Sequence, residues 1–234
     1  GSENAPKDYF TYTKAIGATD LNGTTYFDRT NYFETVPVAA LDRALFLESD
    51  RMGYLLGAIT PGVVDEQRGV VQNEKRQGDN QPFGLVQYKQ TETLFPTTHP
   101  YGHTTIGSMT DLDSASVEDV KAWFRGHYGP NNAVLVLSGD IDAAKAKVLV
   151  EKYFGAIPKG PESVVPAADV PTLAAPKVET IKDRVATTRI YRMSAVPGLN
   201  NPEAVPLDVT AGVPGGLASS RPDHRPVRKA KPAV

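Results

Sequence analysis

Cysteine is absent from the 234 residues. Its absence excludes disulfides, thiolate metal ligands and cysteine nucleophiles, while leaving the cellular compartment open. Neither sign of charge dominates: 25 Lys and Arg stand against 27 Asp and Glu. The chain therefore carries no electrostatic footprint for nucleic acid or an anionic membrane. No apolar run approaches the roughly 20 residues needed to cross a bilayer. The opening GSENAPKDYF has neither the basic start nor the apolar centre of a signal peptide. Histidine occurs only at 99, 103, 127 and 224. The i, i+4 spacing of His99 and His103 would aim two imidazoles at one metal on a helix, but Pro100-Tyr101-Gly102 between them is not helix interior. His127 precedes Gly129-Pro130 and reads as a cap at a helix C-terminus. No glycine-rich phosphate fingerprint follows a strand, so a nucleotide site is unsupported.

What is present is ordinary globular material, 40% hydrophobic and 22% charged. The length suits one large or two ordinary domains. There is no initial Met, and Gly1-Ser2 lead straight into turn-forming sequence. That start is expected of a processed or tagged chain, or of a piece cut from a longer one.

Periodicity and punctuation predict the elements. A short amphipathic helix runs from Asp8 to Ile16 and stops at Gly17. The following ATDLNGTTYFDRTNYFETVP reads as two strands, with Asn22-Gly23 as a turn or bulge signal. Pro37 opens a helix whose stripe is Val38, Leu41, Ala44, Leu45, Glu48, Met52, Leu55 and Leu56. Thr60-Pro61 starts the next helix, which frays at Gly78-Asp79-Asn80. A Thr/Pro/Gly/His loop covers 96–108, and Ser116 with Asp119 forms a capping-box start. Residues 131–141, NNAVLVLSGDI, read as a well-buried strand, Asp142 to Phe154 as a helix closed by Gly155, and 177–196 as β-rich. The Pro/Ala-rich stretch 158–176 reads as a linker between subdomains. From Pro206, LDVTAGV could begin a helix, yet Pro214, Pro222, Pro226 and Pro232 forbid a long one. The tail 206–234 is therefore expected to be irregular, and its basic cluster Arg225, Arg228, Lys229 and Lys231 reads as a solvated end. Helices and strands mixed in this order predict an α+β fold with helices against a mainly antiparallel sheet.

Within the Thr60 helix, Val63, Gln67, Val70, Val71 and Glu74 share one face by helical spacing, while Arg68, Lys75 and Arg76 point elsewhere. Spacing thus places a carboxylate in line with the apolar residues. Two readings are open for Glu74. It can reach solvent past the valines or pair with a lysine or arginine. Alternatively it is held inward to bind a metal or a cationic group, which offsets its desolvation.

Three ordered stretches carry a resemblance: GSENAP with IGATDLNGTTYFDRTNYFETVP, then LDRALFLESDRMG with GVVQNEKRQGDNQPFG, then VEDVKAWFRGHYGPNNAVLVLSGDID with VEKYFGAIPKG. Over about residues 1–205 the chain resembles the pitrilysin/insulinase family of zinc metallopeptidases, the inverzincins. The resemblance implies two insulinase-like α+β subdomains, each a mainly antiparallel sheet flanked by helices. The first would be an N-terminal peptidase subdomain over 1–110, and the second, partial, would cover 111–205. It implies peptide hydrolysis in a chamber closed by a second homologous half or subunit. It also implies zinc held by an H-x-x-E-H helix, whose Glu is the general base, and by one downstream glutamate. Glu74 matches that glutamate, and Gln67 occupies a position where some members place a second acid. Asn22, Gly23, Thr24 and Thr25 match the family's substrate-binding strand, an edge for β-augmentation, with Asp28, Arg29, Thr30 and Asn31 bracing it. Export to the periplasm or beyond is implied by the same likeness.

The departure is that the chain contains no H-x-x-E-H, a motif that lies just before the Gly-Ser-Glu-Asn stretch in similar proteins. A lone carboxylate is a poor zinc site, because zinc takes three protein ligands and a water. The expectation is a piece of a zinc metalloendopeptidase with no catalytic residue of its own and no bound zinc. The competing expectation is a non-catalytic, scaffold-like partner that binds peptides or another subunit. Nothing points to nucleic acid or membrane.

Overall fold

The computed structural model describes residues 1–212. Helix α1 (Tyr9–Ala15) ends where Gly17 takes φ +79°, a left-handed setting that suits glycine. Strands β1 (Thr19–Tyr26) and β2 (Arg29–Thr35) pair antiparallel, and Asn22-Gly23 sits beside a register irregularity rather than at the turn. Pro37 leads through a 3-10 turn, Val38–Ala40, into α2 (Leu41–Gly53). Helix α3 (Pro61–Asp79) is capped by Thr60, whose hydroxyl accepts from the Val63 N–H. Then come α4 (Val86–Leu94), α5 (Met109–Ser114) and α6 (Val117–His127), the last opened by the expected capping box of Ser116 and Asp119. Helix α7 (Ala143–Phe154) is capped by Asp142.

The core centres on α2. Ala44, Leu45 and Leu47 are buried there, and so are two polar residues, Ser49 and Asp50. Helix α7 packs along α2, with Phe46 and Tyr153 rings 6.1 Å apart and Asp42 held by Lys152 and Tyr153. A Cβ on Gly53 would stand 3.2 Å from Ile157, so the end of α2 meets the chain just beyond α7 closely.

The expected α+β character is present, with helices beside an antiparallel hairpin. Three expectations are corrected. Residues 131–141 form no ladder, and Val134 is 90% exposed rather than buried. Residues 177–196 are likewise unpaired, so the expected second sheet is not formed among the described residues. Pattern specifies the tendency to be a strand, but a strand exists only beside a neighbour. The tail expected to be irregular from Pro206 begins instead with α8 (Ala204–Gly212). Pro206 lies in its first turn, where the missing N–H has no intrahelical partner to lose. The prolines at 214, 222, 226 and 232 and the basic cluster lie outside the described residues.

Candidate functional site

The rotation of α3 decides what it presents. Its packed face is Val64, Arg68, Val71, Gln72, Lys75 and Asp79. Arg68 donates to the carbonyls of Leu112 and Ala115 (2.7 Å for the latter), and Gln72 donates to Asp113 at 2.6 Å. Lys75 donates to the Tyr88 hydroxyl at 2.7 Å and to Asp79 at 3.2 Å, and Tyr88 donates to Asp79 at 2.7 Å. These bonds fasten α3 to α5 at one end and α4 at the other.

At 100° per residue, Val63, Gln67, Val70 and Glu74 lie roughly 120° from the fastened face. All four are exposed, Val70 by 55%. Of the two readings left open for Glu74, the side chain reaches solvent past the valines, and no inward setting is formed among the described residues. Val63, Gln67, Val70 and Glu74 form a stripe that nothing among the described residues covers, but Val71, expected on the same stripe, belongs to the packed face. Arg68 and Lys75, expected to point away from the packed side, are the residues that hold it. Long polar side chains can supply a packed face when their heads are hydrogen-bonded and their stems lie on apolar surface.

Asn22, Gly23, Thr24 and Thr25 are all exposed on β1. Gly23 pairs with Tyr32, and a Cβ at this position would stand 3.3 Å from the Tyr32 ring, which would have to give slightly. Bracing comes from Thr24 with Asn31, from Thr25 with Thr30 at 3.2 Å, and from Arg29 donating to Thr24 at 3.0 Å. Asp28 accepts from the Tyr101 hydroxyl at 2.6 Å.

Among the described residues, no group of three or more His, Cys, Asp or Glu side chains is placed to hold a metal ion. Glu74 belongs to no such group, so the donor set among the described residues does not fit a three-ligand zinc site. His99 lies in a loop beside Phe95 and Tyr101, and His103 meets the Thr104 carbonyl. His127 bonds the Trp123 carbonyl at 2.9 Å in the last turn of α6, as a C-terminal capping role requires.

Sequence reasoning missed two clusters at the end of α2. Asp50, 2% exposed, accepts from the Ser2 hydroxyl, the Asn4 N–H at 3.2 Å and the Asn4 amide at 2.6 Å, while Glu3 N–H donates to the Tyr54 carbonyl at 3.0 Å. One buried carboxylate thus ties the first four residues to α2. Beside it, Tyr9 donates to Glu48, Arg51 pairs with Glu48 and lies 3.9 Å over the Tyr32 ring, and Tyr32 meets the Tyr128 hydroxyl at 2.7 Å. Burial and the Glu48 carboxylate raise the Tyr9 phenol, and burial with the Tyr32 contact raises Tyr128. Glu34 is also raised, first by burial and then by Glu48, and its Oε1 is buried without a donor. The sequence signal was a run of ionisable residues, Glu48, Asp50 and Arg51, near the end of α2.

An antiparallel hairpin with flanking helices, one of which presents an acid, defines an α+β domain of the kind solved in M16 peptidases. Residues 114–223 match the family described as the peptidase M16 inactive domain. The chain is 30% identical over 206 residues to a zinc protease, PqqE, of Helicobacter pylori, covering 85% of this chain and 45% of that protein. It is 25% identical over 146 residues to the mitochondrial-processing peptidase β subunit of Saccharomyces cerevisiae, covering 62% of this chain and 31% of that one. The solved structure of a protease from Helicobacter pylori superposes with a TM-score of 0.72 at 24% identity, over 94% of this chain and 54% of that one. A peptidase M16 inactive domain from Pseudomonas fluorescens superposes at 0.69 with 18% identity, over 98% and 55%. The chain belongs to the pitrilysin/insulinase (M16) peptidase family. It spans about half the length, or less, of the curated relatives it matches.

Proposed function

We propose that this chain is part of a zinc-dependent metalloendopeptidase that hydrolyses peptides, and that by itself it binds no catalytic zinc and cleaves nothing. The observation that carries this reading is the open face of α3. A carboxylate stands in line with two exposed valines on a helix fastened from behind, a surface shaped to receive another element together with its ligands. Glu74 would be one zinc ligand of the complete enzyme, and Asn22–Thr25 the edge to which substrate backbone adds, its main-chain groups giving affinity without demanding one side chain. The complete protein would have peptide substrates, a second homologous half or subunit, and a periplasmic or secreted location. Two structural relatives described as a periplasmic protease, PqqL of Escherichia coli, support that location. No helix among the described residues is long and apolar enough to cross a membrane.

Metal analysis of the purified chain should find no stoichiometric zinc, and tight 1:1 zinc would refute the statement that Glu74 lacks its partners. Because Glu74 is exposed, Glu74→Gln should shift the stability of this chain by less than about 0.5 kcal/mol. In the complete enzyme the same change should abolish most activity, and unchanged turnover would refute the ligand role.

The match of residues 114–223 to a domain described as inactive favours a second reading, a non-catalytic partner that binds peptides or another subunit. The coding sequence upstream of Gly1 separates the two. H-x-x-E-H within about ten codons supports the enzyme, and a start codon beside Gly1 without that motif supports the scaffold.

A further inference from the structure

Asparagine precedes glycine at one place in the sequence, Asn22-Gly23. The pair stands on β1, and both residues are exposed. Its setting in the ladder is irregular. Between Thr19 and Asn22 β1 carries one more residue than β2 does between Phe33 and Thr35, and Asp20, inside that bulge, takes φ +50°. The Gly23 N–H donates to Oδ1 of Asn22 itself at 2.8 Å, a local bond of the kind that competes with a ladder. A main-chain nitrogen is thereby held against the carboxamide of the residue before it. Glycine places no Cβ beside that nitrogen, so the approach to the carboxamide is open.

Other asparagines lack this combination. Asn31, paired with Thr24 across the same hairpin, is exposed but precedes Tyr32. Asn131 is held by the Gly160 N–H at 2.8 Å and the Pro161 carbonyl at 3.0 Å, and Asn132 donates to the His127 carbonyl at 2.9 Å.

We infer that Asn22 is a deamidation site and that its conversion disrupts the β1 edge. The Gly23 nitrogen attacks Cγ of Asn22 and gives up its proton to water or hydroxide. As the new C–N bond closes a cyclic succinimide, the Cγ–Nδ2 bond breaks and ammonia leaves. Water then opens the ring, with no oxidation or reduction. Cleavage of the bond to Cγ leaves aspartate. Cleavage of the bond to the main-chain carbonyl leaves isoaspartate, in which the backbone runs through the former side chain. Either product adds a negative charge close to Asp20. Isoaspartate also adds one main-chain atom to β1, which moves Gly23 to Tyr26 out of step with their partners from Tyr32 to Arg29. A two-stranded hairpin is only marginally stable and has little to set against such a slip. On the reading of Asn22–Thr25 as the substrate-binding edge, on which this consequence rests, the reaction is an age-dependent off-switch for peptide capture.

The test is peptide mapping by mass spectrometry of this chain warmed at mildly alkaline pH, folded and in urea, with isoaspartate read by its specific enzymatic methylation. Asn22 in the folded chain should convert within about tenfold of its rate in urea, while Asn31, Asn131 and Asn132 stay intact. Amide exchange at 24–26 should quicken by about tenfold in the isoaspartate form, and by less in Asn22→Asp, which gains the charge without the extra atom. A folded-state rate below that range, or conversion no faster than at Asn31, would overturn the site. Unchanged exchange at 24–26 in the isoaspartate form would overturn its effect on the edge. In the complete enzyme, peptide turnover should fall in step with conversion at Asn22, and full turnover after full conversion would refute the off-switch. Conversion in a complete protein that cleaves no peptide at any age would support the site and refute the peptidase reading.

Discussion

Replacing Asp50 with alanine should unfold this chain more readily than any single change on its surface. The carboxylate is 2% exposed and accepts three hydrogen bonds from Ser2 and Asn4, 46 to 48 positions away in sequence. Hydrogen bonds to a charged group contribute about 1.5–3 kcal/mol each, but three that share one carboxylate do not add. Asn4 is exposed and its donors can turn to water, whereas Ser2 is buried and its hydroxyl would be stranded. The expected loss for Asp50→Ala is therefore about 3 kcal/mol, one trapped donor plus the cavity and the released turn. In a chain of this size that is a fall of roughly 6–12 °C in Tm. Asp50→Asn keeps one acceptor and turns an NH2 toward the donors, so its loss should be about 1–2 kcal/mol, and Ser2→Ala should cost about 1 kcal/mol. Urea titration by circular dichroism measures all three, and the Ser2→Ala, Asp50→Ala double variant should show a coupling near 1 kcal/mol. A loss below about 1 kcal/mol for Asp50→Ala, or no coupling with Ser2, would refute the argument that this carboxylate ties the N-terminal turn to α2.

Glu34 titrates against stability in the opposite sense from a paired acid. Burial and Glu48 raise its folded value above the ordinary 4.5, so its protonated form fits the fold better, and stability is lost as pH rises through the raised value. Glu34→Gln should therefore stabilise the chain at pH 8, with the gain shrinking to nothing below about pH 4.5. A constant difference across denaturation curves from pH 4 to 8 would contradict this. Lys75→Met removes the ammonium shared by Tyr88 and Asp79 and should cost about 1–2 kcal/mol. Its mark should be faster exchange in α3 and α4 with α6 unchanged, and uniform loosening would show that the contact is not a local fastening.

Much of the local structure was legible because its causes are local. The Ser116 cap, the Pro61 and Asp142 starts and the stop at Gly17 each depend on a few neighbouring residues. The Val63–Gln67–Val70–Glu74 stripe was legible as a stripe, since spacing on a helix is fixed by its pitch. Which way it faces was not, because hydrogen bonds from Arg68 and Lys75 to residues beyond α3 decide the rotation, and those partners lie 13 to 47 positions away. The strand at 131–141 failed for a related reason. Its apolar run states a demand for neighbours, and only the assembled fold can say whether they are present.

The sequence by itself therefore determined the ends of α1, α3, α6 and α7, the two strands β1 and β2, and the family to which the chain belongs. Tertiary structure alone decided that Asp50 is buried beneath Ser2 and Asn4, that Glu74 stands on an open face, and that 133–138 has no ladder. Local order follows from short-range sterics and hydrogen bonds written into adjacent residues. Burial, rotation and pairing are properties of what surrounds an element, and that is settled only when distant parts of a chain, or of its partner, come together.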